Sequence, residues 1–283
     1  MDKLNRNFLW GDTSDKKKVH LIKWDKVCRK KDYGGLGIRR ARDHNLALIA
    51  KLGWKLVSDD NGLWTEVLKA KYLKHHTVQS WSRKGQASLI WRGIMKSRSL
   101  LKKGVKWTIG NGAKVRIWYD WWYGDRPWVE AVPNHSLTNS NTVDTLLDLE
   151  GQWDMHAINT LVPPELVHEI LKIHLPRWVN LTDTPSWQGS TDGGFSSATA
   201  YDLLQAHSPN VTHWKWVWKL KIPQKFKGFL WLVLPGKLLT NCMRLKRGIT
   251  TDPSCPSCGG IEDLNHVLRA CPVAMEVWST IFG

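Results

Sequence analysis

One stretch near the C-terminus decides the local fold: Cys255-Pro256-Ser257-Cys258-Gly259-Gly260-Ile261-Glu262-Asp263-Leu264-Asn265-His266-Val267-Leu268-Arg269-Ala270-Cys271-Pro272. It places three cysteines and one histidine at the spacing C-x2-C-x7-H-x4-C. Three thiolates and one imidazole are a ligand set that suits tetrahedral zinc. We therefore predict a structural Zn²⁺ ion held by Cys255, Cys258, His266 and Cys271, with no coordination position left open for water.

The residues between the ligands favour this geometry. Pro256 bends the chain between the first two thiols, and the following glycines tolerate a positive φ. Asp263 is expected to cap a short helix that carries His266, and Pro272 is expected to mark the end of that helix.

Two alternatives to the metal site stay open at this point. Cys255 and Cys258 could form a redox-active dithiol, or the four residues could be unrelated buried side chains. Cys28 and Cys242 fall outside the spacing and are expected to be ordinary buried thiols.

The composition excludes several classes of protein. Five cysteines in 283 residues do not make a disulfide-dense secreted scaffold and favour a reducing compartment. The longest apolar run, Phe229 to Leu234, is far shorter than the roughly 20 residues of a membrane span, and the N-terminus lacks the apolar part of a signal peptide. We expect an intracellular protein of the nucleus or cytoplasm with no membrane partner.

The charge and the 19 tryptophans divide the chain into three segments. Residues 1–130 carry 29 basic and 12 acidic side chains, a net of +17, and 11 tryptophans. Residues 131–210 carry a net of −7, and residues 211–283 a net of +6. We predict a basic, Trp-rich region at 1–130, an acidic, linker-like segment at 131–192 and a zinc-binding domain at 193–283.

The hydrophobic periodicity predicts an α+β protein that is mainly helical. Helices are expected from an N-cap at Asp43, from Gly62 to Leu73 and from Ser88 to Lys103. The alternation in residues 105–109 and 115–119, around Gly110-Asn111-Gly112, predicts a β-hairpin in this N-terminal region. The C-terminal domain is expected to be small and helical.

Two shorter runs of sequence predict local structure. Gly34-Gly35-Leu36-Gly37 predicts a tight turn, because a phosphate-binding loop would need a preceding strand, a following helix and a Lys-Ser/Thr ending. The run Phe229 to Leu234 is apolar all round and predicts a buried helix.

The basic excess favours a polyanionic partner, and RNA or DNA, single-stranded or hybrid, is the partner that we expect. The hairpin would present Trp118 outward beside three basic residues, and aromatic rings near basic groups add base stacking. The alternatives are that the lysines form a solvated face and that most tryptophans lie in the core. The predicted phosphate contacts are Lys16, Lys17, Lys18, Lys106, Lys114, Arg116, Lys215, Lys225, Lys227, Arg244, Lys246 and Arg247.

The residues from Phe195 to Trp278 resemble the reverse-transcriptase zinc-binding domain of plant non-LTR (LINE-type) retroelement polyproteins. The matching pieces are Gly194-Phe195-Ser196, Ala200-Tyr201, Trp214 through Trp218, Ile222-Pro223-Gln224-Lys225, Phe229-Leu230-Trp231, Leu238-Leu239-Thr240, Arg247-Gly248, Glu262, the Cys3His set and Val277-Trp278. The N-terminal half resembles the connector that follows the polymerase domain in the same elements. Its matching pieces are Arg6 through Gly11, Trp24 through Cys28, Gly34 through Gly37, Leu52-Gly53-Trp54, Trp107 through Gly112 and Trp118-Tyr119-Asp120.

The resemblance implies a nucleic-acid-binding, non-catalytic fragment of a reverse transcriptase polyprotein, with the polymerase and ribonuclease H catalytic domains outside this chain. The rest of that polyprotein is a further expected partner. One alternative is a ribonuclease H-type nuclease, for which Asp144, Asp148 and Asp154 are the nearest set of carboxylates. Another alternative is a protein-interaction module or a remnant without selected activity.

Overall fold

Two units make up the fold, and one of them is built from both ends of the chain. Unit 1 combines Met1–Ala41 with His207–Gly283, and unit 2 comprises Arg42–Ala206. The protein is seen here as a computed structural model. The residues that the structure describes are 1–74, 87–131, 141–175, 181–205 and 214–283.

The described residues are mainly helical, with one two-stranded antiparallel sheet, and this confirms the predicted fold class. In chain order the elements are α1 (Asp2–Trp10), α2 (Trp24–Val27), α3 (Ala41–Val57), α4 (Leu63–Tyr72), α5 (Leu89–Gly104), β1 (Val105–Thr108), α6 (Trp128–Ala131), α7 (Met155–Leu161), α8 (Pro164–Leu171), β2 (Thr184–Trp187), α9 (Ser197–Leu204), α10 (Lys215–Lys219), α11 (Gln224–Val233), α12 (Asn241–Lys246) and α13 (Pro272–Phe282). Two 3-10 turns, at Lys31–Tyr33 and Val143–Leu146, and a π turn at His266–Ala270 complete the list.

Side-chain N-caps mark the starts of α5, α7, α9 and α12. The Ser88 side chain accepts a hydrogen bond from the Trp91 N–H at 3.2 Å and caps α5 as expected. The expected N-cap at Asp43 is wrong, because α3 begins two residues earlier. The carboxylate of Asp2, far away in sequence, accepts a hydrogen bond from the Ala41 N–H at 2.8 Å.

The predicted β-hairpin is also wrong. Strand β1 pairs with β2, with Val105 opposite Trp187 and Thr108 opposite Thr184, and residues 115–119 form no strand. The reason lies in Asp183, which is 3% exposed and precedes β2. Its carboxylate accepts hydrogen bonds from the backbone N–H groups of Gly110 at 2.7 Å, Gly112 at 2.9 Å and Lys114 at 2.8 Å. These bonds hold the Gly-Asn-Gly turn against β2 instead of closing a hairpin.

The core of unit 2 includes residues from the acidic segment. Trp91, Trp187 and Ile94 are completely buried in it. The acidic segment adds Val143, Ile158 and Ile170, so the two units divide the chain at other positions than the three segments defined by charge. The polar, turn-forming residues 133–142 predict a loop, and Pro176 is expected to stop a helix. Residues 133–140 and Pro176 lie outside the described residues.

Trp118 is not on the outward face that the hairpin would give it. It is 8% exposed and packs edge-on against Trp128 with ring centroids 6.0 Å apart. It is therefore a core residue of unit 2, and it does not form the predicted basic and aromatic ribbon.

The core of unit 1 forms around the glycine turn that follows Lys31. The indole N–H of Trp218 donates to the Lys31 carbonyl at 3.2 Å, and that of Trp231 donates to the Gly34 carbonyl at 2.8 Å. Gly34 and Gly37 have φ values of 78° and 71°, and the amides of residues 34–37 donate to backbone carbonyls of residues 27–31. The prediction of a tight turn is confirmed, and its N–H groups are already used.

The apolar run in α11 is only partly buried, contrary to expectation. Trp231 lies in the core of unit 1, whereas Phe229 and Leu234 are 41% and 48% exposed. An apolar run therefore does not by itself bury a helix on every side, because burial needs partner elements around it.

The two units carry very different net charges. The residues of unit 1 sum to 22 basic and 9 acidic side chains, a net of +13, whereas those of unit 2 sum to 19 and 16, a net of +3. Most of the basic excess therefore belongs to the unit that contains the Cys3His motif. Within the described ranges, every helix falls short of the length and apolar character that a membrane-spanning segment needs.

Replacing Asp183 by Asn should destabilise unit 2 by about 1–3 kcal/mol. Both carboxylate oxygens of Asp183 accept backbone N–H groups, whereas the terminal NH2 of Asn cannot accept a hydrogen bond, so at least one of the three bonds is lost. The measurement is the free energy of unfolding in urea. Asp192→Asn is the matched control, because the exposed Asp192 accepts one backbone bond, from Gly194 at 3.0 Å. Equal effects of the two substitutions would show that Asp183 does not anchor the turn.

Candidate metal centre

The four predicted ligands meet at one place in unit 1. The Sγ atoms of Cys255, Cys258 and Cys271 and a ring nitrogen of His266 all lie within 4.8 Å of one another. Neighbouring ligand atoms of a tetrahedral zinc site with Zn–S bonds of about 2.3 Å lie about 3.8 Å apart. The donor set and its spacing therefore fit Zn²⁺. Within the part of the chain that the structure describes, no other group of three or more His, Cys, Asp or Glu residues is arranged to hold a metal ion.

A tight turn positions the first two thiols. The Cys255 N–H donates to the Gly260 carbonyl at 2.7 Å, and the Gly259 N–H donates to the Cys255 carbonyl at 2.9 Å. Gly259 has a φ of 72°, as its place after the second cysteine predicts. A Cβ added at Gly260 would lie 3.2 Å from His266 Cε1 and 3.6 Å from the Cys258 Sγ. Gly260 therefore leaves room for the two ligand side chains to approach each other.

The second half of the site depends on a π turn. Asp263 Oδ1 accepts a hydrogen bond from the His266 N–H at 2.7 Å, which confirms the predicted cap. The Cys271 N–H then donates to the His266 carbonyl at 2.9 Å, which closes an i→i+5 turn. Residues five apart on an α-helix point about 140° apart, whereas the wider π turn brings them toward one side. Pro272, expected only to end this helix, is also the first residue of α13.

Hydrogen bonds between Asn241 and Glu262 stabilise the loop that carries Cys255 and Cys258, which we call the cysteine loop. Glu262 Oε1 accepts from the Asn241 N–H at 2.8 Å, and Glu262 Oε2 accepts from the Asn241 side-chain amide at 3.1 Å. That amide also donates to the Ser254 carbonyl at 2.8 Å. The start of α12 is therefore tied to the residue before the first ligand, Cys255. Glu262 belongs to the matching sequence pattern, but the pattern alone does not indicate this structural role.

The environment of the first two thiols separates their pKa values. The Ser257 N–H and then the His266 side chain hydrogen-bond to the thiolate of Cys255 and lower the pKa of Cys255 to about 6. The Gly260 N–H lowers the pKa of Cys258, but desolvation and the neighbouring Cys255 outweigh it, so the pKa of Cys258 is raised overall. The Cys255 thiol therefore loses its proton more readily than the Cys258 thiol, and a bound cation would favour the thiolate form of both.

Comparisons with known proteins agree with this geometry. Residues 195–278 match the family model described as zinc-binding in reverse transcriptase. An Arabidopsis thaliana protein named "Putative ribonuclease H protein" is 37% identical over 289 residues, which cover 98% of this chain and 46% of that protein. An Arabidopsis thaliana protein named "Uncharacterized mitochondrial protein" is 34% identical over 119 residues, which cover 42% of this chain and 77% of that protein.

The chain belongs to the plant retrotransposon reverse-transcriptase zinc-binding family. It spans less than half of the length of the ribonuclease H-named relative. No solved structure matches the chain at a significant level. The family match begins at Phe195, just before α9 in unit 2, and continues through the C-terminal part of unit 1 to Trp278.

In this family member, several predicted phosphate contacts are already engaged within unit 2. The Lys106 ammonium donates to a backbone carbonyl at 3.0 Å, and Lys114 forms an ion pair with Asp59. The Arg116 guanidinium forms a bidentate ion pair with the Asp120 carboxylate, with N···O distances of 3.1 Å and 3.0 Å. These three side chains stabilise local structure. A phosphate that binds any of them would compete with the carbonyl or carboxylate that the side chain already contacts.

Two basic residues of unit 1 have structural contacts of the same kind. The Arg247 guanidinium donates to the carbonyls of His20 at 3.0 Å and Leu21 at 3.1 Å, and so links the two chain ends that form unit 1. The Lys227 ammonium donates to the Trp218 carbonyl at 2.9 Å.

The remaining predicted phosphate contacts are on the surface of unit 1. The exposed residues are Lys16, Lys17, Lys18, Lys215, Lys225, Arg244 and Lys246. Lys215 lies 3.5 Å from the Asp32 carboxylate, and Arg244 makes a long hydrogen bond of 3.4 Å to Asn241. All seven can reach solvent, and the assignment of each to nucleic acid stays a prediction.

The carboxylates of the nuclease alternative have local roles. Asp154 caps α7 by accepting from the N–H groups of His156 and Ala157, and Asp148 accepts from two amides of its own turn. Asp144 accepts from the Thr142 hydroxyl. Among the described residues these three carboxylates do not form a metal-holding group. The structure therefore does not favour a nuclease site here.

The two remaining cysteines differ from each other. Cys28 is buried as expected, whereas Cys242 is half-buried and lines an open groove of about 490 Å³ beside α12. Neither thiol belongs to the ligand cluster.

Replacing Glu262 by Ala should loosen α12, because the Asn241 N–H and side-chain amide both lose a charged acceptor. We expect the amides of α12 to exchange with deuterium about fivefold faster, since the loss is about 1 kcal/mol for this half-exposed pair. Glu276→Ala removes an exposed carboxylate from α13 and should leave this exchange unchanged. Equal exchange in both variants would contradict the bracing role.

Proposed function

We propose that this chain is a non-catalytic nucleic-acid-binding region of a retroelement reverse transcriptase polyprotein, with a structural zinc ion in unit 1. The observation that carries the proposal is the coincidence of charge and site. Unit 1 holds a net of +13 and also contains the Cys3His cluster. RNA or DNA is the partner whose phosphates would neutralise that charge, and the rest of the polyprotein is a second partner.

In this proposal Cys255, Cys258, His266 and Cys271 hold the zinc ion. A bound ion would join the tight turn to the π turn, and it would supply folding free energy rather than chemistry, because four protein ligands fill the coordination sphere. The sparse burial around the four ligands supports a structural role for the ion. Cys255 and Cys271 are buried, but nothing in α13 is, so the described C-terminal residues have little apolar core of their own.

The lysines of residues 16–18 are the simplest phosphate contacts. They are exposed, and two backbone hydrogen bonds fix the preceding loop, from Lys16 N–H to the Thr13 hydroxyl and from Lys18 N–H to Asp12. The pKa of Asp12 is lowered, mainly by the Lys18 N–H, so this carboxylate stays charged and keeps accepting that bond. Counterion release on binding would then make affinity fall as salt rises.

The zinc assignment predicts about one zinc ion per purified full-length chain, measured by mass spectrometry. Cys258→Ser should reduce the content to below half, because a hydroxyl is a poor ligand for zinc beside two thiolates. Cys242→Ser is the matched control, since Cys242 is a half-buried cysteine of the same unit outside the cluster. A full zinc content in Cys258→Ser, or none in the unmodified chain, would remove the zinc assignment.

The nucleic-acid assignment predicts salt-dependent binding of single-stranded RNA or DNA to the full chain in a filter-binding series. Replacing Lys16, Lys17 and Lys18 together by Gln should reduce the slope of log K against log salt by about 2, since each phosphate contact contributes about 0.7.

The control for this experiment loses the same charge from unit 2. The exposed Lys51, Lys74 and Lys103, replaced together by Gln, should leave the slope nearly unchanged. Binding that shows no salt dependence in the unmodified chain would overturn the proposed function. Equal slopes for the two triple variants would remove residues 16–18 from the binding surface.

A further inference from the structure

The three alternating tryptophans at the start of α10 do not share one role. The Trp214 ring lies on the backbone of Gly34, because a Cβ added to that glycine would sit 2.6 Å from the Trp214 Nε1. Trp218 donates to the Lys31 carbonyl. Residues four apart share a helix face, whereas Trp216 is two residues from each and points away from both. Trp216 is accordingly 48% exposed, and the core of unit 1 does not include it.

The surroundings of Trp216 are basic, and the exposed Asp32 carboxylate lies 3.5 Å from the Lys215 ammonium among them. Residues 215–227 contain five lysines and no aspartate or glutamate. Lys215 precedes the ring, and Lys219 follows it by one helical turn on the same face. Lys215, Lys219, Lys221 and Lys225 are all exposed.

A second exposed ring lies in the next helix. Phe226 in α11 is 49% exposed, and the Lys225 ammonium lies 5.1 Å from the centroid of its ring. Helices α10 and α11 contact each other, and Lys227 fixes them by donating to the Trp218 carbonyl at 2.9 Å. Two exposed aromatic rings and four exposed lysines therefore occupy one pair of packed helices.

Exposure alone does not distinguish these rings, because α13 also exposes aromatic side chains. Trp278 and Phe282 are 45% and 80% exposed and stack on each other with centroids 5.5 Å apart. The one charged residue of α13 is Glu276, so this helix itself offers no cation to a phosphate. Trp216 differs from Trp278 because lysines surround an indole that the core of unit 1 does not include.

We propose that Trp216, with Phe226 and the lysines beside them, forms a binding site for the unpaired bases of single-stranded nucleic acid. The proposal rests on the proposed function and names the side chain on which a base stacks. The face of one base lies on the indole, while the adjoining phosphates pair with Lys215 and Lys219. A duplex has its bases stacked on one another, so it offers phosphates to this surface but no free base face.

The test compares variants of the full zinc-loaded chain by fluorescence anisotropy with a labelled single-stranded oligouridine and with a duplex of equal length. Trp216→Leu should weaken binding of the single strand by about five- to a hundredfold, the usual range for loss of one stacked base. Its salt slope should stay that of the unmodified chain, because no phosphate contact is lost. Trp216→Phe should restore most of the affinity, and Phe282→Ala should change nothing.

Each result has one reading. Loss of single-strand affinity in Trp216→Leu, rescue by Trp216→Phe and an unchanged duplex affinity would establish the site. Equal single-strand affinity of Trp216→Leu and the unmodified chain would overturn this inference while leaving the proposed function standing. So would an equal loss for the single strand and the duplex. An unmodified chain that binds neither probe would overturn both.

Discussion

Unit 1 depends on two backbone carbonyls of a single glycine turn. The carbonyls of Lys31 and Gly34 accept the indole N–H groups of Trp218 and Trp231, which lie almost 200 residues later in the chain. A side chain at position 34 would collide with Trp214, and one at position 35 would lie 2.0 Å from the Arg29 carbonyl. Position 34 must therefore lack a side chain for Trp214 to pack on the turn, and position 35 must lack one for the turn to close on Arg29. The core of unit 1 includes these tryptophan contacts.

The same arrangement changes how the charge of the chain is understood. Counted along the sequence, residues 1–130 hold a net of +17. In the structure only the first 41 residues join the Cys3His motif, and the lysines and arginines of unit 2 are largely offset by its own carboxylates, as in the pairs of Lys114 with Asp59 and Arg116 with Asp120. A charge count by segment therefore located the basic excess only in part. The division into units shows which cations belong to the same unit as the Cys3His motif.

The sequence predicts the local parts of this protein well. The Cys3His set meets in space because all four ligands lie within 17 residues, and the caps at Ser88 and Asp263 depend on neighbouring atoms alone. The failures all involve distant partners. Asp183 captures the turn of the expected hairpin from about 70 residues away, and Asp2 sets the start of α3. Periodicity cannot reveal such contacts, because a single carboxylate carries no pattern.

Trp216 and Trp118 show the same limit for single side chains. Both lie within two residues of a basic side chain in the sequence, yet Trp118 is buried and Trp216 is exposed. The difference comes from what packs against each helix or turn, which is set by tertiary neighbours such as Trp128 and Gly34.

The shared core of the two chain ends also sets an order of events during synthesis. Residues 1–41 leave the ribosome before the tryptophans that pack against them, which begin at Trp214. At about 5–20 residues per second this interval lasts roughly ten to thirty seconds, and all of unit 2 is made within it. Trp10, Trp24 and the glycine turn therefore lack their C-terminal partners while unit 2 is synthesised. During that interval their apolar surface is exposed to chaperones and to aggregation.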